Sequence, residues 1–371
     1  MKGYFIYFER KEQHGVIKKV AAQIKALRVF SDVEEINVTM KSDSLAAKIL
    51  SRFPFWGYGY DYTSVLNVIS NPDYIYIRHT LVDQDYIHFF RKLKEQYPKV
   101  KIICELYTYP YDKDFYCRKT TWPLYLKERL YRNQLKKYID RFVTLTDDDE
   151  IFGVKTIKTV NGIDLDTVSI RTRNEKTDDA IRLISVAVMQ KHHGFERLIE
   201  GLHQYYKNGG TRNIIYTVVG DTVGSEVEKY INLTNTYKLS DHVLFVGQKR
   251  GEELEALMQS ADIGICSLGS YKLGIEASSQ LKSREYLATG MPMLTGCKID
   301  VLENTSFPYY VEYPNDPSPI DIDRLIEFYD RIYIKSGKTR NEIAKEIREF
   351  AEKTIDVRKV MEPVHEYIVS K

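Results

Sequence analysis

"NIIYTVVGDTVGSE", residues 213–226, is an apolar run of strand length that stops at a glycine and an acid and then opens into helix-forming residues. A run with no polar alternation is covered on both faces, which is the state of strands in a parallel sheet flanked by helices. Gly220 closes the run at the carboxyl end, where open α/β sheets take their ligands, and lets a ligand approach the backbone closely. Similar runs surround it: "RLISVAV" (182–188), "HVLFVG" (242–247), "IGICSLG" (263–269) and "MPMLTG" (291–296). An earlier series holds "YFIYF" (4–8), "YIYI" (74–77), "KIICELY" (101–107) and "RFVTLT" (141–146). The polar segment "DTVSIRTRNEKTDDA" (166–180) separates the two series and reads as a linker. The pattern predicts two doubly wound α/β domains, 1–165 and 180–349, with a helical C-terminal segment, 350–371, able to pack back on the first.

Composition agrees with that size. The 371 residues, 43% of them hydrophobic, suffice for two cores. No stretch of eighteen apolar residues occurs, and the start "MKGYFIYFERKEQHG" is too short in apolar length and too charged for a leader or a spanning helix, so a cytoplasmic protein is expected. Four cysteines without metal-type spacing suit a reducing compartment. The net charge of +2 is divided unevenly: residues 1–165 hold 27 basic and 21 acidic residues, the remainder 27 and 31. With this balance and no recognition motif, nucleic acid is not an expected partner.

"SSQLKSREYLATGMP" (278–292) raises an electrostatic question. Ser278 or Ser279 reads as N-cap and Gly290 with Pro292 as the stop, which puts Lys282 in the first turn, against the helix dipole. That placement becomes favourable when an anion binds the free N–H groups. Glu285, three residues on, shares the face, and a carboxylate can accept both hydroxyls of a ribose. An exposed ion pair is the plainer alternative. Two further turns fit an anion: Lys191, His192 and His193 before Gly194, and Gln248, Lys249 and Arg250 after Gly247.

Together these segments resemble the retaining glycosyltransferases called glycosyl transferases group 1, or family 4. The likeness rests on "GVIKKV" (15–20), "VTLTDDDEIFG…VNGID" (143–164), "HGFERLIEGL" (193–202), "VVGD", "VLFVG" and "EYLATGMP". It is nearest to the branch that builds bacterial surface polysaccharides, through "ELYTYPY" (105–111) and "SSQLKSREYLATG". The resemblance implies a GT-B fold of two facing Rossmann-like domains, with the nucleotide-sugar donor (UDP- or GDP-sugar) held by the second and a glycan acceptor, lipid-linked in this branch, by the first. It implies that Glu285 holds the ribose, that Lys282 meets the diphosphate, that Gly15 admits the diphosphate to the first domain, and that Gly247 with Gln248, Lys249 and Arg250 borders the base. The sequence departs from the family at Ala277, where the first glutamate of E-x7-E belongs, so Glu276, Ser278, Ser279 and Leu281 become the sugar-side candidates. It departs again at Val188 and His193, which stand where Arg and Lys are expected, leaving Lys191 as a substitute.

In such enzymes the departing diphosphate assists the acceptor proton, and no cofactor or metal is implied. Lys282, Lys191 and His193 are the expected charge stabilisers. Glu105, Arg78 and Tyr109, at or beyond strand ends in the first half, are candidates for the acceptor side. Asp147, Asp148 and Asp149 fit the acidic first turn of a capped helix better than a metal site, and the adjacent histidines lack zinc spacing. The stretch 118–142 alternates aromatic and basic residues; Trp122, Lys127, Arg129, Arg132, Lys136 and Lys137 suit a helix on an anionic membrane surface, against the plainer alternative of a solvated basic face. The expectation is a peripheral, cytoplasmic, metal-independent hexosyltransferase for capsule, exopolysaccharide or lipopolysaccharide. A nucleotide-sugar epimerase of the same fold and a silent nucleotide-binding scaffold are the rivals.

Overall fold

A computed structural model describes residues 1–8, 14–42, 44–112, 121–172, 178–221 and 224–370. The chain forms two compact units, Met1–Gly162 with Val357–Lys371, and Ile163–Asp356. The boundary therefore lies a few residues before the expected one. The described part of the predicted linker belongs to the second unit, where buried Arg171 donates to the carbonyls of Ala261 (2.6 Å) and Gly290 (3.0 Å).

In the first unit, β1 (Lys2–Tyr7) leads to α1 (His14–Arg28) and β2 (Asp32–Asn37). Next come α2 (Leu45–Leu50), α3 (Tyr62–Val68), β3 (Tyr74–Arg78), α4 (Gln84–Gln96) and β4 (Lys101–Leu106). After α5 (Trp122–Tyr131) follow β5 (Arg141–Thr144), β6 (Glu150–Ile151) and β7 (Val154–Lys158). The sheet order is β2-β1-β3-β4-β5-β7-β6, parallel except for the β6–β7 hairpin. "TLTDDDEIFG" thus contains no helix. Phe152 and Gly153, at φ +49° and +80°, form the two-residue turn of that hairpin, and Asp147 pairs with Lys158 across it.

Tyrosines take core positions usually given to aliphatic residues. Tyr74 is wholly buried, its hydroxyl 2.6 Å from Ser31, and its ring occupies the place of a side chain at Gly3, where a Cβ would come within 2.2 Å of it. One face of the sheet packs Val65, Tyr86, Phe89 and Leu93; the other packs Phe5, Val20 and Tyr76.

The second unit holds β8 (Ile181–Ala187), α6 (Glu196–Lys207), β9 (Ile214–Gly220), α7 (Ser225–Thr236), β10 (Val243–Phe245), α8 (Gly251–Ser260) and β11 (Ile263–Ile265). It continues through β12 (Ala277–Ser278), α9 (Leu281–Thr289), β13 (Met293–Thr295), β14 (Lys298–Ile299), β15 (Tyr310–Glu312), α10 (Ile322–Tyr333) and α11 (Arg340–Thr354). Its main sheet runs β10-β9-β8-β11-β13-β15, all parallel, and β12 pairs with β14 separately. The chain then returns to the first unit as α12 (Val357–Val360) and α13 (Glu362–Val369). Val357, Met361, Val364 and Ile368 fill the Phe5 side of the first core, and the Lys101 ammonium caps the last carbonyls of Tyr367 (2.9 Å) and Ile368 (3.0 Å). Of the C-terminal segment able to pack back on the first domain, residues 350–356 stay with the second unit and only 357–371 return. The fold is mixed α/β with parallel sheets in two domains, the GT-B type.

Candidate functional site

Counted along its own sheet, the second unit's strand order is 3-2-1-4-5-6, so the winding reverses between β8 and β11. Open α/β sheets bind ligands beyond the carboxyl ends at such a reversal. The loops leaving these two strands are laced together there. The Leu268 N–H donates to the His193 carbonyl (2.7 Å) and the Gly269 N–H to that of His192 (3.2 Å). Gly194, at φ +62°, lies directly on Gly269; a Cβ on it would stand 2.4 Å from the Gly269 nitrogen. Buried Arg197 of α6 holds the same loop through the Leu268 carbonyl (2.5 Å) and reaches the Pro314 (2.9 Å) and Ser318 (2.6 Å) carbonyls.

Helix α9 ends as expected at Gly290, in the left-handed conformation, but begins later than expected. Neither serine caps it. Ser278 sits in β12, and the Ser279 hydroxyl accepts from buried Arg284 (2.9 Å), which also pairs with Asp300. Gln280 occupies the cap position without a side-chain cap bond; its Oε1 instead accepts from the Ser267 N–H (3.1 Å), and its Nε2 donates to Cys297 Sγ (3.4 Å). The first turn therefore has no side-chain cap, and Lys282 is its second residue. Tyr286 anchors the helix to both strands at the reversal: its hydroxyl donates to the Ile184 (3.4 Å) and Ile265 (3.3 Å) carbonyls, and its ring lies on Gly264, where a Cβ would approach within 2.7 Å.

Lys282 Nζ is sealed from solvent, has no hydrogen-bond partner among the described residues, and stands 5.1 Å from the centre of the Phe195 ring. Burial lowers its pKa to about 8, partly offset by Cys266 and the Glu285 carboxylate. Next to it His193 is neutral: burial, then the charge of Lys282, then His192 hold its pKa down at about 2. Its Nδ1 accepts from the Gln190 N–H (3.1 Å), so the ring proton resides on Nε2. His192 is lowered too, by burial and by Lys282 and Lys272. The expected cationic role of His193 is thereby corrected: two cations so close in a dry pocket repel, and the imidazole yields. It can donate a hydrogen bond but brings no charge.

Glu285 is exposed one turn beyond Lys282, as expected from the i, i+3 spacing. Glu276 and Leu281 are exposed, and so is Lys191, whose carbonyl accepts from Lys272 Nζ (3.0 Å). The loops after β9 and β10 meet each other: the Gly220 N–H donates to the Gly247 carbonyl (3.1 Å), and a Cβ at Gly220 would lie 1.9 Å from the Ala187 carbonyl oxygen. Asp221, which sequence reasoning passed over although it follows the strand-end glycine, joins three loops. Its carboxylate accepts from Gln248 Nε2 (2.6 Å) and from the Met189 N–H (3.3 Å). Lys249 pairs with Glu253 on α8, and exposed Arg250 precedes that helix. Arg197 and Gln280 were also missed; nothing local marks either one.

In the first unit, Glu105 and Arg78 do not stand open at their strand ends. Glu105 Oε1 accepts from Lys19 Nζ (2.9 Å) and Gln23 Nε2 (3.1 Å) of α1, and Oε2 faces Arg78 Nη1 at 3.7 Å. Burial alone would raise the Glu105 pKa, but Lys19 and Arg78 lower it overall. Tyr109 is half-buried, its ring 5.8 Å from that of Phe152. Gly15 is the second residue of α1, and the residues just before that helix, 9–13, lie outside the described ones.

Two of the expected membrane cations are internal. Lys127 is buried, donating to the carbonyls of Ser51 (2.9 Å) and Trp56 and lying 3.6 Å over the Tyr58 ring. Arg132 is buried in a two-pronged pair with Asp112, over Phe152. Trp122, Arg129, Lys136 and Lys137 are exposed. Residues 118–120 of that stretch lie outside the described ones. Among the described residues no helix is long and apolar enough to cross a membrane.

Residues 166–296, which contain β8 to β13 and the loops after β8, β9, β10 and β11, match the family model described as Glycosyl transferases group 1. No curated protein matches the chain by sequence. Among solved structures, it is similar to Anabaena Alr3699/HepE in complex with UDP, at 13% identity and TM-score 0.64 with all of both chains covered. It is similar also to a glycosyltransferase from Rickettsia africae, at 13% identity and TM-score 0.60, covering 99% of this chain and 97% of that one. The lipopolysaccharide outer core galactosyltransferase WaaB in its apo form gives 14% identity and TM-score 0.61, covering 99% of each.

Proposed function

We propose that the protein is a retaining glycosyltransferase that moves a hexose-type sugar from a UDP- or GDP-sugar to a glycan acceptor, lipid-linked, in the synthesis of a bacterial capsule, exopolysaccharide or lipopolysaccharide. One observation carries the reading: a desolvated ammonium without a hydrogen bond among the described residues, Lys282, at the N-terminus of α9, which has no side-chain cap. An unpaired buried charge is costly unless an opposite charge completes it, and helix N–H groups beside it favour the same anion. A diphosphate meets both. The family match over 166–296 supports the sugar-nucleotide class, and the complexes of HepE with UDP and with UDP-glucose support uridine.

In this mechanism Lys282 and the first turn of α9 take up charge that grows on the diphosphate as the glycosidic bond breaks, an interaction stronger in the transition state than in the ground state. Neutral His193, protonated on Nε2, orients a donor oxygen without competing for the anion. Glu285 accepts from the ribose hydroxyls. Lys191 is exposed and free to swing toward the same phosphates. Because protein groups supply the charge stabilisation, the reaction proceeds without a metal ion. The acceptor is taken by the first unit, beyond the strand ends where Tyr109 is half-buried; buried Arg78 and Glu105 support that side from within rather than meeting the acceptor.

Thermal shifts with UDP- and GDP-sugars test the donor, and transfer of labelled sugar to a lipid-linked glycan extract, with and without EDTA, tests the reaction. We expect a stabilising shift with one nucleotide class, EDTA-resistant transfer, and a product that keeps the donor's anomeric configuration. Sugar turnover without an acceptor product, or nucleotide binding with no turnover at all, rejects the reading.

A further inference from the structure

Helix α5 is turned inside out for a helix on a water-facing surface. A surface helix normally buries its apolar stripe and exposes its charges. Here Lys127 and Glu128 are wholly buried, while Trp122, Leu126 and Leu130, spaced i, i+4 and i+8 along one face, are each more than half exposed. Specific bonds fix this orientation. Glu128 accepts from the Val82 N–H (2.6 Å) and the Tyr111 hydroxyl (2.7 Å), and Lys127 is held by the Ser51 and Trp56 carbonyls and the Tyr58 ring.

The lysine bonds also tie α5 to a second apolar segment. On α2 and the turn after it, Leu45, Ile49 and Phe53 repeat at the same spacing and all are exposed; Phe55 and Trp56 follow, the former 76% exposed. Both of the chain's tryptophans therefore lie on this surface, half in water. Within the two segments the exposed charges have one sign, and Asp85 of α4 lies at their edge, beside Gly57. Residues 44–56 contain no acid, 121–137 contain only buried Glu128, and Arg52, Arg129, Lys136 and Lys137 are exposed.

We infer that this face of the first unit docks on an anionic lipid bilayer, with Trp56, Trp122 and the leucines of α5 entering the headgroup boundary and the arginines meeting lipid phosphates. Tryptophan favours that boundary, and an apolar stripe flanked by Arg52, Arg129, Lys136 and Lys137 fits it. A second copy of the chain fits poorly, because it would bring the same cations against themselves. The inference deepens the lipid-linked part of the proposed function by naming the surface, but it stands on separate residues from the donor site.

The test uses the full chain with phosphatidylcholine vesicles, with and without 30% phosphatidylglycerol, at fixed salt. With no tryptophan elsewhere, intrinsic emission reads the surface directly. We expect flotation with the anionic vesicles, a blue shift, and quenching by brominated lipid. Leu126→Ser/Leu130→Ser should weaken partition by at least about tenfold, and Arg52→Gln/Arg129→Gln by about fivefold per residue removed, while the thermal shift with UDP-sugar stays at the wild-type value and so reports intact folding. Unquenched tryptophans, equal flotation with neutral vesicles, unchanged partition in the leucine variant, or a dimer that the leucine variant dissociates would each overturn the inference. Because the nucleotide shift is read separately, a failure here is distinguishable from a failure of the sugar-transfer reading.

Discussion

Lys282 carries a charge that the fold shields from water and gives no hydrogen bond among the described residues. The depression of its pKa from 10.5 to about 8 corresponds to a stability cost of ~3 kcal/mol. At pH 7 both folded and unfolded chains hold the proton and the cost is present in full. Between pH 8 and about 10.5 the unfolded chain binds the extra proton, so this group's contribution to stability rises with pH across that window. Lys282→Met should therefore stabilise the free protein at pH 7 by up to ~3 kcal/mol in urea melts and at the same time abolish the thermal shift with UDP-sugar. A variant that loses both stability and nucleotide binding would contradict this account. In the wild type, calorimetric affinity for UDP should stay level between about pH 7, above the terminal phosphate's own titration, and pH 8, and fall about tenfold per pH unit above it as the free site loses its charge. Lys282 was conspicuous in sequence because a cation in a first turn is out of place. The burial of Lys127, Arg132 and Glu105 was not legible, since their partners Ser51, Asp112 and Lys19 lie 20 to 86 residues away.

Among the elements, α9 depends on the flat seat that Gly264 offers to Tyr286. A methyl group there would come within 2.7 Å of the ring. Gly264→Ala should destabilise the protein by about 1–3 kcal/mol and weaken nucleotide binding as α9 tilts. Tyr286→Phe keeps the ring but loses the hydroxyl bonds to Ile184 and Ile265, and should cost only about 1 kcal/mol in the same denaturation assay. The central strands were legible because they are covered on both faces and read as unbroken apolar runs. β2, "DVEEIN", was not: it is an edge strand with Val33 as its one buried residue. The acidic run 147–149 resembled a helix start, yet the pair Phe152–Gly153 turns the chain into a hairpin. The first residue of α9 was misplaced because Ser279 spends its hydroxyl on Arg284.

At the scale of the molecule, the chain begins and ends in one unit. Removing residues 357–371 should expose the Phe5 and Tyr76 side of the first core and delete four buried apolar side chains, each worth about 1.5–3 kcal/mol. We expect such a truncation to unfold Met1–Gly162 while Ile163–Asp356 keeps its thermal shift with nucleotide; two transitions in calorimetry, one of them lost, would register it. The second unit is entered at Ile163 and left at Asp356, which pair side by side, with the Ile163 N–H donating to the Ile355 carbonyl (2.9 Å). Both crossings thus lie side by side on the covalent path, and everything between them is a contiguous cassette. On the proposed function, exchange of donor preference would need only two cuts at a single place, leaving the first unit's own contacts untouched.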